Sequence, residues 1–134
     1  MVSVIVYKTI YGSTKKYAEW LKKELKCSSF EMDSVKIDSL KNFNTIIVMS
    51  GTYAAKMPLT GFLKNNWKFL KDKKLVAVAV GAAPENNWWS RVSYFLIPGF
   101  IKKKIKYFKL PGPYKNQGEK PKKEYLKRVV DCLK

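Results

Sequence analysis

Three runs in this chain are apolar almost without a break: Val2 to Tyr7, Thr45 to Met49, and Leu75 to Val80. Such runs lack the alternation of a strand with one wet face, and they suit strands covered on both sides, as in a parallel sheet. Between them the spacing changes to that of a helix. From Thr14 to Lys26, Tyr17, Ala18, Leu21 and Leu25 share one face, while Lys15, Lys16, Lys22, Lys23 and Lys26 point away. Leu59 to Leu70 repeats the pattern with Leu59, Phe62, Leu63, Trp67 and Leu70, and Glu119 to Leu133 with Tyr125, Leu126, Val129, Val130 and Leu133. Weaker signals predict an edge strand near Ser29 to Val35 and a connection from Asp38 to Phe43. They also predict an aromatic, helical stretch from Trp88 to Lys106 interrupted at Pro98-Gly99, then a last strand from Tyr107 to Leu110.

The order β-α-β-β-α-β-α-β-α calls for an α/β architecture, a doubly wound five-stranded parallel sheet with helices on both faces. With 134 residues, 46% of them hydrophobic, residues 1–134 are expected to form one domain with a substantial core. Neither an internal repeat nor a linker is visible. Pro111 to Lys123, rich in Pro, Gly and Lys, reads as a surface loop. The N-terminal run reads as a buried strand and not as a signal peptide, and no run reaches the roughly 18 apolar residues of a membrane span. Cys27 and Cys132 make no disulfide framework, so a cytoplasmic protein with inert, reduced thiols is expected.

The chain has no histidine, which excludes Ser-His-Asp and Cys-His catalysis and argues against zinc. Chemistry, if any, falls to a cofactor. Lys and Arg number 27 against 10 Asp and Glu, a net charge of +17. A field of that sign draws anions of every kind, including nucleic acid, anionic lipid and acidic proteins. No recognised nucleic-acid motif accompanies it.

The most informative segment lies where the first strand meets the first helix: Thr9-Ile10-Tyr11-Gly12-Ser13-Thr14. A phosphate placed there meets the unpaired N–H groups and dipole of a helix N-terminus, with hydroxyls beside it and a glycine that permits close approach. The bland alternative is an ordinary Ser or Thr helix cap. Neither the ATP-type loop G-x-x-x-x-G-K-[ST] nor the dinucleotide pattern G-x-G-x-x-G is present.

Tyr11-Gly12-Ser13-Thr14-Lys15-Lys16-Tyr17-Ala18-Glu19-Trp20 resembles the phosphate loop of flavodoxins, [ST]-x-T-G-x-T. It is closer still to short flavodoxin-domain proteins reading Y-G-S-T-K-x-A-E-W, among them the flavodoxin-like protoporphyrinogen oxidases of bacteria. The resemblance implies strand order 2-1-3-4-5 with FMN at the carboxyl ends of the strands. It implies a second loop at Gly51-Thr52-Tyr53-Ala54-Ala55, with the Tyr53 ring on the flavin, and a third at Gly81-Ala82-Ala83-Pro84-Glu85-Asn86 against the pyrimidine edge. Flavodoxins are usually acidic, whereas this chain is basic; Lys8, Lys15 and Lys56 are the lysines nearest these loops in sequence.

Trp88 and Trp89 follow the third loop. Trp88 is a candidate for flavin contact, against the simpler expectation that it packs a helix start on the sheet. Met49 and Met57 read as a core and a loop residue. Phe95 to Lys109 is either a basic, aromatic docking face or a kinked core helix with solvated lysines, and the need to cover the sheet favours the helix. The expected function is therefore FMN binding for electron transfer or a small flavin-dependent oxidation, protoporphyrinogen dehydrogenation being one form. The alternative is a flavodoxin fold that has lost FMN and binds acidic protein or nucleic acid. An acidic redox protein or an anionic membrane surface is the expected partner.

Overall fold

The computed structural model describes residues 2–9, 12–52, 56–82, 87–113 and 119–133, with the backbone alone of Trp89. The apolar runs become β1 (Ser3–Lys8), β3 (Thr45–Gly51) and β4 (Lys74–Gly81), flanked by β2 (Ser28–Glu31) and β5 (Ile105–Pro111). All pairings are parallel and the order is β2-β1-β3-β4-β5, as the resemblance implies.

Side-chain parity divides the core into two layers. Val4, Val6, Ile46, Val48, Leu75, Ala77 and Ala79 face Leu59, Leu63, Leu70, Ile97 and Ile101. These come from α2 (Pro58–Asn65), α3 (Trp67–Leu70), Ile97 just after α4 (Trp88–Phe95), and α5 (Gly99–Lys102). Ile5, Ile47, Met49, Val76, Val78 and Val80 face Tyr17, Ala18 and Leu21 of α1 (Ser13–Leu25), together with Leu126, Val129 and Leu133. The last two belong to α6 (Lys127–Leu133). Met49 and Met57 are both buried.

Several boundaries differ from the sequence expectation, each for a local reason. β2 stops at Glu31 instead of running to Val35, because the N–H groups of Ser34 and Val35 both turn back to the Glu31 carbonyl. The expected helix Leu59–Leu70 is broken at Asn66, whose side-chain amide donates to the Phe62 carbonyl at 2.9 Å while its backbone leaves helical values (φ −118, ψ 15). Helix does not extend to Lys106: Ile105 and Lys106 already pair with Leu75 and Val76 as the start of β5. The terminal helix begins later than Glu119. Lys120 precedes Pro121, which disfavours helical backbone there, and a 3-10 turn at Lys123–Leu126 leads into α6.

Candidate functional site

Parallel strands end together, so Lys8, Gly51, Gly81 and Pro111 bring their following loops to one edge of the sheet. The ladder continues a step past the strands: the Thr52 N–H donates to the Val80 carbonyl (2.9 Å) and the Gly112 N–H to the Gly81 carbonyl (3.1 Å). α2 is tied to this edge by buried Ser50, whose hydroxyl accepts the Leu59 N–H at 3.1 Å and so closes part of that helix start.

The start of α1 is built differently. Gly12 stands at its N-cap with φ +92, a backbone that side chains rarely adopt, and it offers no side-chain cap. The first helical bond runs from the Lys16 N–H to the Gly12 carbonyl (3.0 Å), leaving the N–H groups of Ser13, Thr14 and Lys15 ahead of it. The Thr9 hydroxyl accepts the Gly12 N–H at 2.9 Å and pins the loop. No acidic residue lies in the first turn to oppose an anion. The Ser or Thr cap considered from the sequence is therefore not what forms: Ser13 and Thr14 are the first two helical residues, Thr14 being only 3% exposed. The chain leaving β5 closes on this point. A Cβ at Gly112 would stand 2.5 Å from Val80 Cγ1 and 2.9 Å from Ser13 Cβ, and the Tyr17 hydroxyl donates to the Pro111 carbonyl at 2.5 Å. Burial holds that phenol above its ordinary range. N–H groups ahead of the first helical bond, adjacent hydroxyls and a first turn without carboxylates fit a phosphate ester.

The remaining candidates divide between those the structure describes and those it does not. Thr9, Gly12, Ser13, Thr14, Gly51, Thr52, Gly81 and Ala82 all lie at the carboxyl edge. Ile10, Tyr11, Tyr53, Ala54, Ala83 and Pro84 lie outside the described residues. Trp88 begins α4 and is 63% exposed, which corrects the expectation that it packs on the sheet. Phe95, Leu96 and Phe100 are also exposed, so the stretch from Phe95 is not simply a core helix with wet lysines; Ile97 and Ile101 supply its inward contacts. Burial raises the pKa of Cys27, as expected for an unreactive thiol.

One residue at the edge carried no signal in the sequence. Lys109 of β5 reaches across Gly81 and donates to the Thr52 hydroxyl at 3.1 Å. A Cβ on Gly81 would come within 2.9 Å of its Nζ. Half-buried and without an ion pair among the described residues, its ammonium is pulled down from 10.5 to about 8 by desolvation. Lys8, singled out from the sequence, is instead paired with Asp33 at 3.0 Å.

Residues 4–112 match the profile of the flavodoxin domain family. The chain belongs to this family. Among solved structures it is similar to a short-chain flavodoxin associated with a non-canonical PDU bacterial microcompartment, with TM-score 0.65 and 16% identity over 98% of this chain and 93% of that one. A flavodoxin from the domain Archaea gives TM-score 0.61 and 21% identity, covering 98% and 92%. A flavoprotein in complex with FMN from Lactobacillus acidophilus NCFM gives TM-score 0.55 and 13% identity, covering 82% and 91%. At these identities the structures show a common fold. Comparison with curated proteins returns no match. Among the described residues no helix is long and apolar enough to cross a membrane.

Proposed function

We propose that this flavodoxin-domain protein binds FMN and serves in electron transfer or as a small flavin-dependent oxidoreductase. The observation that carries the reading is the open start of α1, where Ser13, Thr14 and Lys15 have their N–H groups ahead of the first helical bond, with the Ser13 and Thr14 hydroxyls and no carboxylate in the first turn. Family membership supports the same ligand, as does the FMN complex of a structural neighbour. FMN would supply the redox chemistry, and the protein the pocket and the potential. In this reading the loops from Gly51, Thr52, Tyr53 and Ala54 and from Gly81, Ala82, Ala83 and Pro84 flank the ring, with Tyr53 and Trp88 as aromatic contacts. The +17 charge makes an acidic redox protein or an anionic membrane surface the expected encounter partner, with association slowed by salt.

Fluorescence titration of the apoprotein with FMN is the test. Replacing Ser13 by Ala and Thr14 by Val should weaken binding by about 1–3 kcal/mol for each charged hydrogen bond lost. Parental affinity in the double variant would remove the phosphate from this loop. A protein that FMN cannot reconstitute would favour the second reading, a basic binding module, for which the cations around Lys109, without ion pairs among the described residues, and the exposed aromatics of α4 speak. Consumption of protoporphyrinogen by the loaded protein would single out a dehydrogenase from an electron carrier.

A further inference from the structure

β5 is one of the two edge strands of the sheet, and between it and α4 and α5 runs a cleft of about 630 Å³. Its cations are Arg91, Lys102, Lys106 and Lys109, and no carboxylate is among the described residues that line it. None of the four has an ion pair among the described residues. The walls are aromatic. Tyr94 and Tyr107 lie with ring centroids 4.9 Å apart, and Lys102 Nζ stands 4.9 Å above Tyr94 and 5.3 Å above Phe95. A second cleft, between α1 and α6, shows that this composition is not merely a consequence of the protein's overall charge. There Lys23, Lys123 and Lys127 are accompanied by Glu24, Glu124 and Asp131, so the charge is balanced locally.

We propose that the β5 cleft is a binding site for a flat aromatic molecule bearing a carboxylate or another acid group. The ring would lie against Tyr94 and Tyr107, and the acid group would meet the cations that line the floor and rim. Lys102, held over the rings of Tyr94 and Phe95, and the three cations beside it have no ion pair among the described residues, so a ligand's acid group would complete them while its ring packs on the tyrosines. Lys109 lines the cleft and donates to Thr52, which sets the ligand beside the carboxyl ends of β3 and β4. Desolvation lowers its pKa, and a bound acid group would raise it. The inference deepens the flavin reading, since it names the class of molecule that would meet the cofactor. Its binding is measured without flavin, so that the two fail separately.

The probe is 2-naphthoate, titrated into the flavin-free protein and followed by amide chemical shifts. The neutral analogue 2-naphthalenemethanol serves as the comparison. Shifts should map to residues 90–109, and naphthoate should bind about tenfold tighter than the alcohol, the usual return on a charge-assisted hydrogen bond. Lys102→Gln with Lys106→Gln should cost roughly fivefold or more, while Lys22→Gln with Lys36→Gln, which removes the same charge from exposed positions elsewhere, should cost less than about twofold. Naphthoate should also raise the pKa of Lys109 in side-chain NMR. Equal affinity for the alcohol, equal loss in both double variants, or shifts mapping elsewhere would overturn the site. So would displacement of naphthoate by one equivalent of FMN, because the cleft would then be the flavin's own.

Discussion

Two regions of this molecule are suited to anions, and they are made of different materials. At the start of α1 the attraction comes from backbone: N–H groups ahead of the first helical bond, a glycine at φ +92, and hydroxyls with no formal charge. At the β5 edge it comes from ammonium and guanidinium groups set among aromatic rings, one of them half-buried. A backbone site is local, does not titrate, and depends on conformation. A charged site needs a helix and a strand packed side by side, titrates, and is screened by salt. The contrast shows how one sheet edge can carry both a fixed backbone dipole and a separate, tunable charge.

The comparison breaks first at Gly12. A β-branched residue there must hold a left-handed backbone, so Gly12→Val should lower stability by about 2–3 kcal/mol in urea unfolding. Unchanged stability would mean that the loop can reach its shape without glycine, and the site at α1 would lose its conformational basis.

Next comes the titration of Lys109. Folded, it loses its proton near pH 8; unfolded, near the ordinary 10.5. Between these values the unfolded chain binds more protons, so stability rises with pH, and the cost of burying the charge is fully present below 8. Relative to Lys109→Met, the wild type should gain on the order of 1–3 kcal/mol from pH 7 to above 10.5. Parallel stability curves for the two proteins would show that the ammonium is hydrated after all.

A smaller effect is expected where the two regions meet. Tyr17→Phe removes the hydroxyl bonded to the Pro111 carbonyl and should cost about 1 kcal/mol in thermal unfolding. A neutral result would detach the chain after β5 from α1. Least of all, Gly81→Ala should change stability by under about 0.5 kcal/mol, since the atom it crowds is the far end of a flexible lysine. It should nonetheless push Nζ off Thr52 and raise the Lys109 pKa toward 10.5, as read by side-chain NMR. A pKa left unmoved would mean that Gly81 does not set the position of that ammonium.

The sequence by itself determined the layers and the place where β1 gives way to α1 at Gly12. Unbroken apolar runs at Val4–Val6, Ile46–Met49 and Leu75–Val80 require cover on both faces, and the turn between β1 and α1 is written in consecutive residues. Such signals survive in one dimension because strand parity, helix spacing and capping are short-range. What only the tertiary structure decided lies along β5 and the helix beside it. Ile105 and Lys106 were claimed by a helical pattern and yielded to pairing with β4, because edge pairing satisfies backbone groups whatever the local spacing suggests. Trp88 fits a core-facing helix start by composition and is exposed. Lys109 was one lysine among many until the fold carried it across Gly81 to Thr52, 57 residues away in the chain. A charge acquires a role from its desolvation and its neighbours, and both are properties of the packed molecule.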